Sequence, residues 1–444
     1  MQVLFDIRTV LCYNCGIDDN GSDKKMTYKE ALEYTEGLKS RGIQPGLAGI
    51  TQLCAELGNP QNYLSIIHIA GTNGKGSAGA FLASVLKAAG RSAARFASPA
   101  VGDYLEAFTI DGSPIPEDLY ARCAELVREA DRRLSQRCVF PTAFGAETAI
   151  AFLAFKELCP DYVLLECGMG GRLDATNVIT RPFVSVITSV SMDHKQFLGA
   201  SLAEIAAEKC GIIKDNCPVV TCSQPDDVME VTAAAAQAHG SPLYIADDIT
   251  SVSFYEDKTV FCFEGEEYTI RLGGVFQPQN AALAVKAAQL LGISGASIRK
   301  GLECAVWEYR FERPGKYILD GAHNEDAARK LAESIRLYLP GRNTAFICGC
   351  FRDKDYDSIA KITAPLADAV YCVKPPTKRG LEAAELSRAF AKYGAKAYNV
   401  ETLADAFAMT ADYETVVIFG SLSILGEAKR LIKQTEGNDN AKMQ

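Results

Sequence analysis

The chain has 444 residues, 48% of them hydrophobic and 23% charged, with a formal net charge of −9. That length exceeds the usual span of one hydrophobic core, so two domains are expected. The acidic balance excludes a sequence-independent nucleic-acid binder, and no apolar run reaches the roughly 20 residues of a membrane-spanning helix. The start lacks a basic region followed by an apolar stretch and a small-residue cleavage site, so a cytoplasmic location is expected. Most of the fifteen cysteines lie in apolar stretches, as Cys167, Cys217, Cys262 and Cys304 do, and read as reduced, small hydrophobes. The Cys12/Cys15 and Cys348/Cys350 pairs have no second pair at metal-ligand spacing, and no zinc site is expected.

In chain order, residues 1–25 end near a polar run, Asp18-Asp19-Asn20-Gly21-Ser22-Asp23, and are expected to be an extension the fold does not need. Thr27 then reads as a helix N-cap, with Glu30 three residues on to complete a capping box. From residue 65, short apolar runs alternate with amphipathic ones. Strands are expected over 65–70, 162–165, 183–188 and 218–221, with a loop over 71–77 and a helix over 78–89. Such alternation implies a mostly parallel sheet covered by helices on both faces. Residues 251–272 read as strand after strand, an antiparallel edge to that sheet. A second βα series follows Trp307: strands over 316–319, 344–349, 369–373 and 415–419, with helices over 326–339 and after Glu401. The expected division is therefore an ATPase-type domain over 26–305 and a Rossmann-like α/β domain over 306–444.

The strongest local pattern is Gly71-Thr72-Asn73-Gly74-Lys75-Gly76-Ser77, placed between a strand and a helix. Glycines let successive amides converge on phosphate oxygens, and the helix N-terminus adds a favourable dipole. Lys75 would reach the β and γ phosphates, and a hydroxyl just beyond would serve Mg²⁺. The string departs from the generic phosphate loop because Gly76 takes the Ser/Thr slot and Ser77 follows it. Glu166 ends an apolar strand, where a carboxylate is awkward unless it meets a cation or a donor. Ser77 and Glu166 together would offer hard oxygens to Mg²⁺, which retains waters for the rest of its shell. Asp320 and His323 fall just past a strand, at the edge where open α/β sheets bind ligands; the alternative for Asp320, the less favoured of the two, is a cap of the next helix.

At these residues the chain resembles the folylpolyglutamate synthase/dihydrofolate synthase branch of the Mur ligase superfamily, over roughly 26–430. Gly71 to Ser77 looks like its nucleotide loop. Glu166-Cys167-Gly168-Met169-Gly170-Gly171-Arg172-Leu173-Asp174-Ala175-Thr176-Asn177 is similar to its acidic, Gly-rich motif. Asp193-His194 with Leu198-Gly199, Glu208-Lys209-Cys210-Gly211-Ile212-Ile213-Lys214, Asn280 and Asp320-Gly321-Ala322-His323-Asn324 follow in the family's order. The resemblance implies a P-loop fold and an ATP-dependent ligase that joins L-glutamate to a folate through an acyl phosphate, with dihydropteroate open as a second acceptor. It implies ATP contacts from Gly71, Thr72, Asn73, Gly74, Lys75, Gly76, Ser77, Asn280, Arg310 and Asp320. Two Mg²⁺ sites are implied, served by Ser77, Glu166, His194 and Lys209, the last as a carbamate formed with CO₂. Taken alone, His194 is as well read as a structural hydrogen-bonding residue, His68 as a support for the loop, and Lys209 as a surface ion-pair partner of its neighbour Glu208. Lys75, Lys209 and His323 are the implied catalytic groups. Ser98, Asp174 and Ser421 are implied on the substrate side, although Ser421 also suits an N-cap. Folate and L-glutamate are the implied partners, and a monomer without nucleic-acid or membrane partners is expected.

Three motifs depart from the family's pattern. Its Ser-Pro-His-Leu and Glu-Arg-Ile appear as Ser98-Pro99-Ala100-Val101 and Glu106-Ala107-Phe108, and its Pro-Gly-Arg appears as Glu308-Tyr309-Arg310. The missing His and Arg belong to the pterin-facing side. They motivate a rival reading, an amide ligase of the same fold with a non-folate acceptor. A phosphotransferase and a non-catalytic nucleotide-binding module are more distant rivals.

Overall fold

The computed structural model describes residues 25–100, 102–193 and 195–442. The extension expected before Met26 therefore lies, apart from Lys25, outside the described residues, as do Cys12, Cys15 and His194. Chain order then opens as the sequence suggests. Thr27 N–H donates to Glu30 Oε2 at 2.8 Å, Glu30 N–H donates to Thr27 Oγ1 at 3.3 Å, and helix Tyr28–Leu38 starts from this box.

The first sheet has eight strands: β1 (Ile66–Ala70), β2 (Ala93–Phe96), β3 (Phe108–Ile110), β4 (Ser113–Pro114), β5 (Tyr162–Glu166), β6 (Val184–Ile187), β7 (Val219–Thr221) and β8 (Leu243–Ile245). Their order is β4-β3-β2-β5-β1-β6-β7-β8, parallel throughout except at the β2–β3 and β3–β4 pairs. Both faces are apolar, which is why β1 and β5 read as continuous hydrophobic runs rather than alternating ones. Val163 and Leu165 meet helices Glu117–Ser135 and Ala143–Leu158 on one face. Leu164, Ile67 and Ile69 meet helices Lys75–Ala88, Gln277–Leu290 and Gly295–Cys304 on the other.

Residues 251–272 do form antiparallel strands, but not on the edge of this sheet. β9 (Ile249–Phe254), β10 (Thr259–Phe263) and β11 (Glu266–Ile270) make a separate three-stranded sheet. Phe261, Phe263, Tyr268 and Ile270 pack it onto the same core as helix Gln277–Leu290. Alternation reports that a ladder has one buried face; it does not report which sheet the ladder joins. The antiparallel edge of the large sheet is β3 and β4 instead.

The third sheet is wholly parallel: β12 (Tyr317–Leu319), β13 (Thr344–Cys348), β14 (Ala369–Cys372), β15 (Ala397–Asn399) and β16 (Thr415–Phe419), in the order β12-β16-β13-β14-β15. Helices Glu325–Tyr338, Tyr356–Thr363 and Ala383–Lys392 cover one face, and Leu403–Met409 and Leu422–Lys442 the other. Among the described residues no helix is long and apolar enough to cross a membrane.

Candidate active site

The nucleotide-type loop leaves the C-terminal end of β1 and is held by the segment after β6. Thr72 N–H donates to Ser189 O at 2.7 Å, Thr72 Oγ1 to Ser191 O at 3.0 Å, and Thr188 Oγ1 to Asn73 O at 2.7 Å. Gly71 and Gly74 both have positive φ, and a Cβ on Gly71 would fall 1.8 Å from Thr188 Oγ1. The helix starts at Lys75, three residues earlier than expected, so Lys75, Gly76 and Ser77 form its first turn. Gly and Ser were read as loop formers, but the turn is held by Gly74 in the left-handed region at the N-cap. No side chain caps that end, which leaves its first-turn amides available to an anion.

Lys75 folds over the loop, its Nζ donating to Gly71 O at 2.9 Å and Thr72 O at 3.3 Å. Burial lowers its pKa, while the Glu166 carboxylate acts the other way. Ser77 is buried and accepts from Gln277 Nε2 at 3.3 Å; Gln277 Oε1 in turn accepts from Asn280 Nδ2 at 3.1 Å. Asn280 thus lies against the loop, and Gln277 joins it unforeseen. The sequence signal was there: helix Gln277–Leu290 opens with Gln277, three residues before Asn280 on the same face.

Glu166, at the end of β5, does meet a cation. Arg95 of β2 donates from Nε to Glu166 Oε1 at 3.1 Å, and its Nη2 donates to the same oxygen and, at 2.7 Å, to Gly76 O. The Arg95 guanidinium also stacks 3.8 Å from the centroid of the Trp307 ring. Arg95 sits within a strand of apolar neighbours, and nothing in its spacing linked it to Glu166. Of the metal set, Ser77 and Glu166 adjoin the same helix turns, with Oε1 of Glu166 already paired to Arg95. His194 lies outside the described residues, and only its neighbour Asp193 is described.

Lys209 is not a surface residue. It is 3% exposed, on helix Leu202–Cys210, and it is Glu208 that turns outward to Arg172, 2.5 Å away. The Gly-rich motif presses directly on this helix end: a Cβ at Gly171 would fall 2.6 Å from Glu208 O and 2.7 Å from Lys209 O. Burial, with added repulsion from Lys75, pushes the Lys209 pKa down to about 7. Under the same motif, His68 Nε2 lies 2.9 Å from Thr176 Oγ1 and 3.3 Å from Cys167 Sγ, and burial takes its pKa down to about 3. His68 therefore supports the motif as a neutral ring.

Three expected contact residues are engaged by their own backbone. Asp174 accepts from Met169 N–H at 2.8 Å and from Thr176 N–H at 3.0 Å, and burial raises its pKa. Asp320 accepts from Phe311 N–H at 2.9 Å and Ala322 N–H at 2.8 Å; burial lifts its pKa to about 6. It is not the N-cap of the following helix: Asn324 is, accepting from Ala327 N–H at 2.9 Å. Arg310 lies beside Asp320, since a Cβ at Gly321 would come 2.6 Å from its Nη1. Ser421 is buried at the start of helix Leu422–Lys442 and accepts from Ser423 N–H at 3.3 Å, as an N-cap would. Ser98 follows β2 at the same sheet edge as the loop, before a cis Pro99.

The layers of the first and third sheets meet at the loop. Asn73 Nδ2 donates to Asp326 Oδ2 at 2.8 Å and Asn324 Nδ2 donates to Asn73 Oδ1 at 3.1 Å. Asp193 receives Lys354 Nζ at 2.7 Å and Asn324 Nδ2 at 3.2 Å, with His323 Nε2 3.7 Å away. His323 Nδ1 donates to Gly321 O at 2.9 Å; burial, reinforced by Lys354, pushes its pKa down to about 4, so it is neutral near pH 7. Lys354, on the loop after β13, was not foreseen, because a Lys in the polar run Arg352-Asp353-Lys354-Asp355 reads as surface charge.

Comparison with known proteins follows the same division. The Mur ligase middle domain matches residues 69–288, and the Mur ligase glutamate ligase domain matches 308–422. A dihydrofolate synthase/folylpolyglutamate synthase of Bacillus subtilis is 36% identical over 365 residues, 78% of this chain and 84% of its own. A folylpolyglutamate synthase of Lacticaseibacillus casei is 32% identical, covering 80% of this chain and 87% of its own. Among solved structures, Mycobacterium tuberculosis folylpolyglutamate synthase complexed with ADP and AMPPCP superposes with a TM-score of 0.84 at 30% identity, over 91% of this chain and 99% of that one. Escherichia coli FolC in complex with DHPP and ADP superposes with a TM-score of 0.82 at 28% identity, over 92% and 98%.

Proposed function

The chain belongs to the folylpolyglutamate synthase/dihydrofolate synthase family, and from that premise we propose that it joins L-glutamate to a folate at the expense of ATP. It is an ATP-dependent ligase with an α/β, Mur ligase fold. The observation that carries the reading is the meeting of an uncapped, Lys75-bearing helix start with Asn324, Asp326 and the His323 side of the second sheet. Phosphates on one side and an incoming amine on the other would be brought together there.

The substrate carboxylate attacks the γ-phosphorus of ATP to give an acyl phosphate and ADP; the amine of glutamate then displaces phosphate from the acyl carbon. Loop amides and Lys75 balance phosphate charge, which is most of what a phosphoryl transfer asks of a protein. Asn280, through Gln277, holds Ser77 and the loop in place. Neutral His323 faces the junction, where it can take a proton from the amine. Asp193, Lys354 and Asn324 keep the junction closed, which excludes the water that would hydrolyse the acyl phosphate. The oxygen donors of Ser77 and Glu166 suit Mg²⁺, and a carbamate on the buried Lys209 amine would add another. Bound there, Mg²⁺ would neutralise developing phosphate charge.

We divide the chain near residue 306. Ala305 and Trp307 pack into the core under the first sheet, Tyr309 and Phe311 into the cores of the third. The cytoplasm is the proposed compartment, consistent with thirteen free cysteines among the described residues, and a monomer the proposed state. Mass spectrometry of products from ATP, glutamate and a panel of pterin carboxylates tests the function. A glutamylated folate supports it; ligation only to non-folate acceptors would favour the rival ligase that Ala100 and Ala107 motivate, and a phosphorylated product without an amide would exclude both.

A further inference from the structure

Arg95 is 6% exposed, and its polar contacts belong to the phosphate-binding apparatus: Gly76 O at 2.7 Å and Glu166 Oε1 at 3.1 Å from Nε. The indole of Trp307 covers the guanidinium at 3.8 Å. The phosphate-binding helix is shaped to admit this group. A Cβ at Gly76 would come 2.7 Å from Trp307 Nε1, and one at Gly79 would come 3.2 Å from both Arg95 Nη2 and Glu166 Oε1. Two glycines three apart thus open a slot on one helix face, and cation, carboxylate and indole fill it. A guanidinium and a divalent ion drawn to one carboxylate repel each other, and they do so strongly where water is excluded.

We propose that Arg95 is an internal counter-ion for Glu166, so that a divalent cation reaches this carboxylate only together with the nucleotide phosphates. The inference rests on the reading of Glu166 as a metal ligand. Without nucleotide, the buried carboxylate is already neutralised and fully engaged on one oxygen, so a metal ion gains little there and meets a fixed positive charge. Polyphosphate supplies several negative charges at the uncapped helix start beside Gly76, which offset the repulsion between Arg95 and the metal. Arg95 is then a positioning residue: it holds Glu166 and the first helix turn in register while Trp307 fixes the plane of the fork.

Mn²⁺ binding followed by electron paramagnetic resonance, with melting temperature alongside, tests this on the full chain with and without a non-hydrolysable ATP analogue. Wild type is expected to hold Mn²⁺ at least tenfold more weakly without the analogue than with it. Arg95→Met is expected to melt below wild type in chelator, to bind Mn²⁺ without nucleotide at least tenfold more tightly than wild type, and to regain melting temperature as Mn²⁺ is added. Adding Glu166→Gln to Arg95→Met should abolish that recovery. Equal Mn²⁺ affinity of wild type with and without the analogue overturns the proposal, as does an Arg95→Met protein no more responsive to Mn²⁺ than wild type. If Arg95→Met does not fold, the wild-type comparison decides. Should Glu166→Gln alone leave Mn²⁺ affinity unchanged in the presence of the analogue, it is the metal-ligand reading of Glu166 that fails.

Discussion

Stripping CO₂ from the enzyme at controlled pH tests Lys209. The residue is 3% exposed, and burial, with repulsion from Lys75, brings the pKa from 10.5 down to about 7. At pH 7 such an amine is about half neutral, against roughly one part in three thousand for an ordinary lysine. Only neutral amine adds CO₂, so the reactive fraction rises about a thousandfold. Folding feels the same shift. The unfolded chain holds the proton up to its own pKa of 10.5, so between pH 7 and 10.5 it binds more protons than the native state. Stability therefore rises with pH across that window, and the penalty is complete below about pH 7. At 1.36 kcal/mol per unit it is on the order of 5 kcal/mol, and a carbamate removes the penalised ammonium. At fixed dissolved CO₂, reactivation of stripped enzyme should speed up about tenfold per pH unit below 7 and level off above it. A ¹³C carbamate signal should appear in step with activity. Lys209→Ala should be inactive and partly rescued by short-chain carboxylic acids; Lys209→Met should be inactive yet melt above the stripped wild type at pH 6. Activity that survives both CO₂ depletion and Lys209→Ala refutes the carbamate, and a reactivation rate that keeps climbing about tenfold per pH unit from pH 7 to 9 refutes the lowered pKa.

Lys75→Ala is expected to abolish turnover, with kcat falling more than nucleotide affinity, because the charge matters most beside the transferring phosphoryl group; an unchanged kcat would remove the phosphate-loop assignment. Lys354→Met takes the ammonium at 2.7 Å away from Asp193, where the two side chains are 9% and 11% exposed. Roughly 3 kcal/mol should be lost, read as a lower denaturant midpoint, and an unmoved midpoint would mean that the pair contributes nothing. Gly301→Ala would set a Cβ 2.3 Å from Val85 Cα, prising helix Gly295–Cys304 off the phosphate-binding helix. A loss of about 2–3 kcal/mol is expected, and a midpoint within error of wild type would show that the helices have room to separate. With Ala100 and Ala107 in place of the family's His and Arg, kcat/KM for dihydropteroate should fall below that for a reduced folate; comparable values would mean that both acceptors are served.

The sequence carried what is local. A strand running into Gly-Thr-Asn-Gly-Lys-Gly-Ser, or Thr27 with Glu30 three residues on, is governed by turn and cap chemistry within a few residues; the cap appears where expected, and the loop follows its strand with the helix beginning three residues early. Strand β15 could not be read, because Tyr398 and Asn399 are exposed and the segment has no apolar run. What long-range packing decides was also hidden. Arg95 finds Glu166 across 71 residues, and Lys354 finds Asp193 across 161. Neither pairing has a period or spacing to betray it. Lys209 illustrates a subtler limit: its neighbour Glu208 suggested an exposed ion pair, but on a helix adjacent residues face different ways, and only the outer one pairs.

The clasp of Asn73 by Asn324 and Asp326 joins residues 251 and 253 positions apart. A genetic screen would therefore misfile lesions there. Substitutions at Asn324 or Asp326 lie at the head of a helix in the other sheet's layer, yet they release the loop that receives nucleotide. Their kinetic phenotype should mimic damage to the loop itself, and a second change at Asn73 should add little to either. Mapped onto the linear sequence such alleles would look like two loci; in the folded chain they are one.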